Sequence, residues 1–573
     1  MPSLVDGATI TIEVIEGRNL VAKDRNLLGK KTSSDPYITL FHCNKKFGTT
    51  KVIKKSLNPQ WKERFSLKLV QRDLVQSGTN NNEIPPVMLV IWDHDVGTAD
   101  DPMGTVLVPI DLVEAEPKQL WLPVTKGTAG KYFCHNATGE VSVRVTVQLQ
   151  MVLQLVKGNV HHLRKDSCIH VGLAWDPLPG TNIDLDASCV AISNSGELLM
   201  DETVYYGNPC NPNESVLHTG DETTGDKTGD DETILLNLEH IPKHVVAYYL
   251  ILSVQTPNYT LEQIKSAKVR FYSMDNRGEE QSICVIQPSA LGHHTSLIVA
   301  RVAKESGDPK NWKLRPIEAG TSPSRDFGTL VPLIKGYTRD LLANIQVDPN
   351  ERVAIMQKNG VIKIQDFCPS QAIPTTVSIG LAWDVTKGVS IDLDASVLCL
   401  DSDLQQVDVV YFNKLTSIDG SIQHMGDQRS GSAAGDDETI NILLENVNPR
   451  TKYMGIVINS YSGQELDDVA RASCRLYDTE TRSEIARYTL TDSKPLDKHT
   501  ALVMGCLYRG NEGAWLLTII SEPAQGKTVH DNLDELQNWL RRNHPPMHPT
   551  IEVQRIPSQD IAMSTMPAFV PHI

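Results

Sequence analysis

Paired carboxylates recur in this 573-residue chain at spacings that call for a cation. Asp184 and Asp186 flank Leu185 in Ile-Asp-Leu-Asp-Ala-Ser (183–188), and Asp392 and Asp394 flank Leu393 in the identical stretch 391–396. Asp-Leu-Asp inside an apolar run reads as a strand, where side chains alternate faces, so each aspartate pair shares one face. Two carboxylates side by side raise each other's pKa unless a cation neutralises them. A second acidic run follows each pair: Asp221, Asp230, Asp231 and Glu232 in the first copy, Asp427, Asp436, Asp437 and Glu438 in the second. The glycine-bearing loop ahead of Gly-Asp-Asp-Glu-Thr-Ile (229–234 and 435–440) can fold that run back over the strand. Hard oxygen ligands in this number suit calcium, which takes about six to eight of them.

Two more aspartate-rich loops lie near the start. One runs from Asp24 to Ser-Asp-Pro-Tyr (34–37), and the other is Trp-Asp-His-Asp-Val-Gly-Thr-Ala-Asp-Asp-Pro-Met-Gly (92–104). Residues 1–150 alternate apolar and polar in short runs broken by turns such as Asn58-Pro59 and Pro85-Pro86, the pattern of an antiparallel sandwich. Leu-Val-Ala-Lys-Asp (20–24), Ser-Asp-Pro-Tyr, Lys-Lys-Ser-Leu-Asn-Pro-Gln-Trp (54–61) and Trp-Asp-His-Asp resemble the C2 domain, an eight-stranded sandwich that binds calcium and phospholipid. The resemblance places the family's five calcium-holding aspartates at Asp24, Asp35, Asp93, Asp95 and Asp101, with Asp101 preferred to Asp100 by its spacing from Asp95 and Gly104. Acidic side chains on adjacent loops leave calcium under-coordinated, so lipid phosphate can supply the missing oxygens. Lys45, Lys46, Lys51, Lys54 and Lys55 fall on two consecutive strand patterns. They read either as a face for anionic head groups, as the resemblance implies, or as charges guarding a sheet edge.

The elements that carry the acidic cassettes are themselves duplicated. Asp176 to Asp384 and Asp184 to Asp392 both span 208 positions, and Asp231 to Asp437 spans 206. A near-constant offset across several motifs marks a repeated domain. Gly-Leu-Ala-Trp-Asp (172–176 and 380–384) precedes each cassette, and the second copy adds Val-Val-Tyr-Phe-Asn (409–413), Ile-Ala-Arg-Tyr-Thr-Leu (485–490) and Ala-Leu-Val-Met-Gly-Cys-Leu-Tyr-Arg (501–509). These repeats resemble the TerD family of calcium-binding, β-rich domains named for tellurium resistance. The first copy keeps the acidic set but departs at Asn-Pro-Cys-Asn-Pro-Asn (208–213) and in its later half.

The expected architecture is mainly β: a C2-type sandwich over 1–150, TerD-like sandwich domains over 151–320 and 351–525, and few short helices. A linker over 321–350 carries helical spacing from Leu330 to Ile345, and 526–573 holds a second helix (Asp531 to Arg542) and a proline-rich tail read as extended. The second helix is free to pack on the second repeat or to dock a protein partner. A net charge of −16 argues against nucleic acid. Ten scattered cysteines without a Cys-x-x-Cys pair suit a reduced, cytoplasmic protein. No signal peptide and no apolar membrane span is visible, so membrane contact is expected to be peripheral. Gly220 to Thr228 imitates a phosphate-binding loop, but Asp226 breaks its Gly-Lys step and the neighbouring acids would repel phosphate. Neither nucleophile elbow nor zinc-protease motif appears, and the histidine pairs at 161–162 and 293–294 point to opposite strand faces. The expectation is a non-enzymatic calcium-binding protein that docks on anionic phospholipid. The alternative is a structural protein whose domains calcium merely stiffens.

Overall fold

The computed structural model describes residues 9–566 apart from 26–30, 70–84, 96, 98, 111–116, 128–129, 131, 149–152, 179, 221–229, 276–277, 279, 289–290, 306–307, 323–325, 386–391, 427–435, 462, 467–468, 491–495, 552 and 554. The chain divides into two units, 1–152 and 153–573. Strands dominate, as the alternating pattern demands, and sheets are antiparallel almost throughout.

The first unit is a sandwich of two four-stranded sheets. One sheet orders Gln60–Lys68, Thr9–Arg18, Glu140–Gln148 and Lys118–Pro123; the other orders Lys45–Thr49, Pro36–His42, Val87–Asp93 and Asp101–Val108. Alternate residues such as Ile10, Ile12, Val14 and Leu89, Ile91 fill the space between them. Lys45 and Lys46 ride the edge strand Lys45–Thr49, exposed. Lys51, Lys54 and Lys55, expected on a strand, instead occupy the connection ahead of Gln60–Lys68. Pro59 closes that connection and ring-locks its backbone.

The second unit holds both repeats, each a two-sheet sandwich. The first repeat has two five-stranded sheets and the second two six-stranded ones. The strands that open on Asp-Leu-Asp, Leu185–Ser193 and Leu393–Leu400, are buried on both faces, because each sandwich carries an additional cover. Leu185, Ala187, Cys189 and Ala191 face the first repeat's interior. Val190 and Ile192 face outward and lie beneath Phe327, Leu330, Leu333 and Ile334, the last two on the short helix Val331–Tyr337. In the second repeat Leu398 and Leu400 lie beneath Leu536, Trp539 and Leu540 of the helix Leu533–Asn543. The stretch read as a linker therefore supplies the first repeat's cover. Its helix stops at Tyr337, whose carbonyl accepts from the buried Arg301, and the same guanidinium takes Asp340 in a two-pronged pair.

The repeats touch directly. Arg487 of the second reaches Asp201 of the first at 2.8 Å, and Gln357 Nε2 donates to Tyr206 Oη (3.4 Å) and Gln255 Oε1 (3.2 Å). Val353 and Ile355 join the first repeat's outer apolar cluster beside Tyr205. The proline-rich tail is not simply extended. Ile551 and Val553 pack on the second repeat, and the helix Ser558–Met563 returns to the first, where Ile561 is buried and its carbonyl accepts from Arg339 at 3.0 Å. Among the described residues no helix is long and apolar enough to cross a membrane.

Candidate functional site

Strand register gathers the five aspartates of the first unit. Pro36 pairs with Asp93, Asp93 pairs with Asp101, and Asp24 pairs with Ser33 on a small hairpin, which puts all five positions at one end of the sandwich. Asp35 N–H donates to Asp93 Oδ1 at 2.5 Å, and Lys55 N–H donates to Asp35 Oδ1 at 2.6 Å. Asp93 is buried and its Oδ2 has no hydrogen-bond partner among the described residues. Burial, with the like charges of Asp24, Asp95 and Asp35, pushes its carboxyl up to about 6 despite the bond from Asp35. Asp95 is raised too, by its surroundings first and then by Asp101, Asp24 and Asp100. A group of carboxylates that penalise one another is what a divalent cation would relieve.

Asp100 has a different role. Its surroundings work against its charge, yet Tyr37 O–H (2.6 Å), Asp95 N–H (3.0 Å) and His94 Nδ1 (3.2 Å) bond to it and hold its pKa low. Those bonds engage both of its oxygens in fixing the loop.

The two cassettes share the same backbone clasps. Asp231 Oδ2 accepts from Trp175 N–H at 2.9 Å, and Asp437 Oδ2 from Trp383 N–H at 3.0 Å. Glu232 Oε2 accepts from Ala187 N–H at 2.8 Å, as Glu438 does from Ala395. Each glutamate starts a strand of one sheet and clasps the buried backbone of the Asp-Leu-Asp strand in the other, bringing the second acidic run to the first. A buried histidine stands beside each glutamate: His218 Nε2 lies 3.3 Å from Glu232 Oε2, and His424 Nε2 lies 3.6 Å from Glu438 Oε2. Burial opposes charge on His424, but Glu438 and Asp394 outweigh it and raise its pKa. Asp186 and Asp394 are buried alongside. Asp221 and Asp427 lie outside the described residues.

Asp230 and Asp436 are held by partners that the motifs did not reveal. Arg270 grips Asp230 with Nε at 2.7 Å and Nη2 at 2.6 Å, and Arg475 grips Asp436 at 2.7 and 3.0 Å. Each arginine sits directly across the sheet from the glycine of Gly-Leu-Ala-Trp-Asp. That glycine is a steric requirement: a Cβ on Gly172 would fall 1.9 Å from Asp230 Oδ2, and one on Gly380 would fall 2.1 Å from Asp436 Oδ2. The guanidinium groups also lie over Tyr272 and Tyr477. A detectable signal was present, since Arg-x-Tyr occurs in both copies at 270–272 and 475–477.

Calcium fits these donors chemically, because every proposed side-chain ligand is a hard oxygen and Asp93 presents a buried oxygen in need of a partner. Among the described residues, no three His, Cys, Asp or Glu side chains stand close enough together, as placed, to hold a metal ion.

A β-sandwich with an acidic pole, followed by duplicated two-sheet sandwiches with acidic cassettes, defines a multidomain β protein built from two kinds of module. The TerD domain model matches residues 151–333 and 354–538, and the C2 domain model matches 8–124. The chain belongs to the TerD family and carries a C2 domain ahead of its two TerD domains. It is 37% identical over 163 residues to tellurium resistance protein TerZ of Serratia marcescens, an alignment covering 26% of this chain and 82% of that one. It is 35% identical over 95 residues to Protein C2-DOMAIN ABA-RELATED 1 of Arabidopsis thaliana, covering 17% of this chain and 46% of that one. A solved homologue of telluride resistance protein (TerD) from Streptomyces coelicolor A3(2) aligns at 20% identity and a TM-score of 0.24, covering 28% of this chain and 95% of that one.

Proposed function

We propose that the protein is a non-enzymatic calcium sensor whose C2 domain docks on anionic phospholipid when calcium rises, with the TerD pair as a calcium-binding sensor, buffer or scaffold. The observation that carries this reading is the buried Asp93 carboxyl, raised to about 6 among Asp24, Asp35 and Asp95 and with one oxygen lacking a hydrogen bond. A calcium ion on Asp24, Asp35, Asp93, Asp95 and Asp101 would neutralise that repulsion and leave coordination positions for lipid phosphate. The exposed Lys45, Lys46, Lys51, Lys54 and Lys55 would add roughly 1 kcal/mol each of attraction to an anionic surface where they approach it. In the TerD domains the proposed ligands are Asp184, Asp186, Asp221, Asp231 and Glu232, and Asp392, Asp394, Asp427, Asp437 and Glu438, with Asp230 and Asp436 held in place by their arginines.

The test is co-sedimentation of the full chain with phosphatidylserine vesicles across a calcium titration. Wild type is expected to bind only with calcium. Asp93→Asn with Asp95→Asn, which removes two of five charged ligands, should raise the calcium requirement about tenfold or more. Binding in chelator, or wild-type behaviour of the double variant, overturns the reading. The stiffening alternative has one observation in its favour: Glu232 and Glu438 already clasp one sheet to the other, so a cation there would also brace the fold.

A further inference from the structure

The second TerD domain sits on a defined surface of the first, and the equivalent surface of the second is exposed. On the first, Gln357 bonds to Tyr206 and Gln255, next to the buried Tyr205. Strand register gives the counterparts. Cys189 bridges Val204 as Val397 pairs with Val410, so Tyr205 and Tyr206 correspond to Tyr411 and Phe412. Gln255 N–H donates to Asp184 O as Tyr461 N–H donates to Asp392 O, so Gln255 corresponds to Tyr461. Phe412 and Tyr461 meet edge to face with ring centres 5.3 Å apart, and Tyr411 joins them at 5.3 Å from Phe412. Around this aromatic row, Tyr461 is 51% exposed, Met425 55% and Leu415 45%.

The surface that would cover it also has a counterpart, on the first domain. Met356 N–H donates to Arg487 O as Leu155 N–H donates to Val285 O. Gln357 therefore corresponds to Val156 and Arg487 to Val285. Val156 is 49% exposed, with Leu153 nearby in sequence at 41%. The two faces have changed together. Where the internal contact uses Gln357 on Tyr206 and Gln255, the outer faces offer Val156 on one side and Phe412 and Tyr461 on the other. Gln357 is thus replaced by Val156 and Tyr206 by Phe412.

We infer that chains associate head to tail, the Val156 face of one copy docking on the Phe412–Tyr461 face of the next and continuing the arrangement the two TerD domains already have within a chain. The contact is heterologous, so it propagates into a ring or an open row rather than closing as a two-fold dimer.

Light scattering and sedimentation of the full chain test this with two blocking variants. Tyr461→Glu removes only the acceptor face and Val156→Glu only the donor face. Wild type is expected to form concentration-dependent oligomers beyond the dimer, and each variant alone to remain monomeric. An equimolar mixture of the two should form a one-to-one dimer, because each supplies the face the other lacks; a misfolded variant could not do so. A wild type that stays monomeric, variants that associate as wild type does, or a mixture that stays monomeric overturns the inference.

Discussion

The carboxylates that open each Gly-Asp-Asp-Glu run are each gripped by an arginine from across the sheet. Arg475 engages both oxygens of the nearly buried Asp436. Removing one partner of such a pair leaves an uncompensated buried charge, which is costlier than the pair's own net worth. Arg475→Gln should therefore destabilise the second TerD domain by about 3 kcal/mol, the low end for a broken buried pair. Asp436→Asn combined with Arg475→Gln should recover a good part of that loss. Chemical denaturation of the three variants checks it, and equal losses in the single and double variants would remove the pair from the explanation. The acidic residues were legible in the sequence because two diverged copies retain them letter for letter. Their arginines were not, because a cross-sheet partner lies far along the chain and only strand register brings Arg270 opposite Gly172 or Arg475 opposite Gly380.

At the level of elements, period-two alternation sufficed to read the first sandwich, while the repeats were read from their resemblance, since strands such as Leu185–Ser193 and Leu393–Leu400 are buried on both faces and need not alternate. Covers were harder. Leu330 to Ile345 has helical spacing throughout, but the helix ends at Tyr337 because Arg301 and Asp340 fix the chain's turn there. The tail's prolines hid Ile561, a single apolar residue whose burial depends on a surface more than two hundred residues away. Asp326 sets the start of the first cover: its Oδ1 accepts from Thr329 N–H at 3.2 Å. Burial nevertheless raises its carboxyl from 3.8 to about 6, against the bonds from Thr329 and Gly328. A folded pKa above the unfolded one means the fold prefers the neutral acid, so this stability is fully present below about pH 4 and is lost as pH rises through 6. Asp326→Asn keeps the cap's acceptor oxygen and stays neutral. Its melting temperature should match wild type near pH 4, exceed it increasingly up to about pH 6, and exceed it by a constant margin above that. A difference that does not vary with pH would show that Asp326 acts through shape alone.

Across the whole molecule, the TerD domains are tied together three times over: by the Arg487 and Gln357 contacts, by the shared apolar cluster around Val353 and Ile355, and by the returning tail at Ile561. Such ties predict that residues 153–573 unfold in one cooperative step. A ligand that binds only the folded state then stabilises both domains wherever it binds, by about 2.7 kcal/mol per site at a hundredfold excess over Kd. Calorimetry of the full chain isolates this effect if Asp93→Asn and Asp95→Asn first silence the C2 pole. In that background calcium should raise the TerD transition by several degrees as a single peak. Asp184→Asn with Asp186→Asn, or Asp392→Asn with Asp394→Asn, should each reduce the rise without splitting the peak, and all four together should abolish it. Two peaks of which only one answers to calcium would show that the domains melt independently. A transition equally placed in calcium and in chelator would remove calcium from both cassettes, leaving Glu232 and Glu438 as clasps between sheets and nothing more.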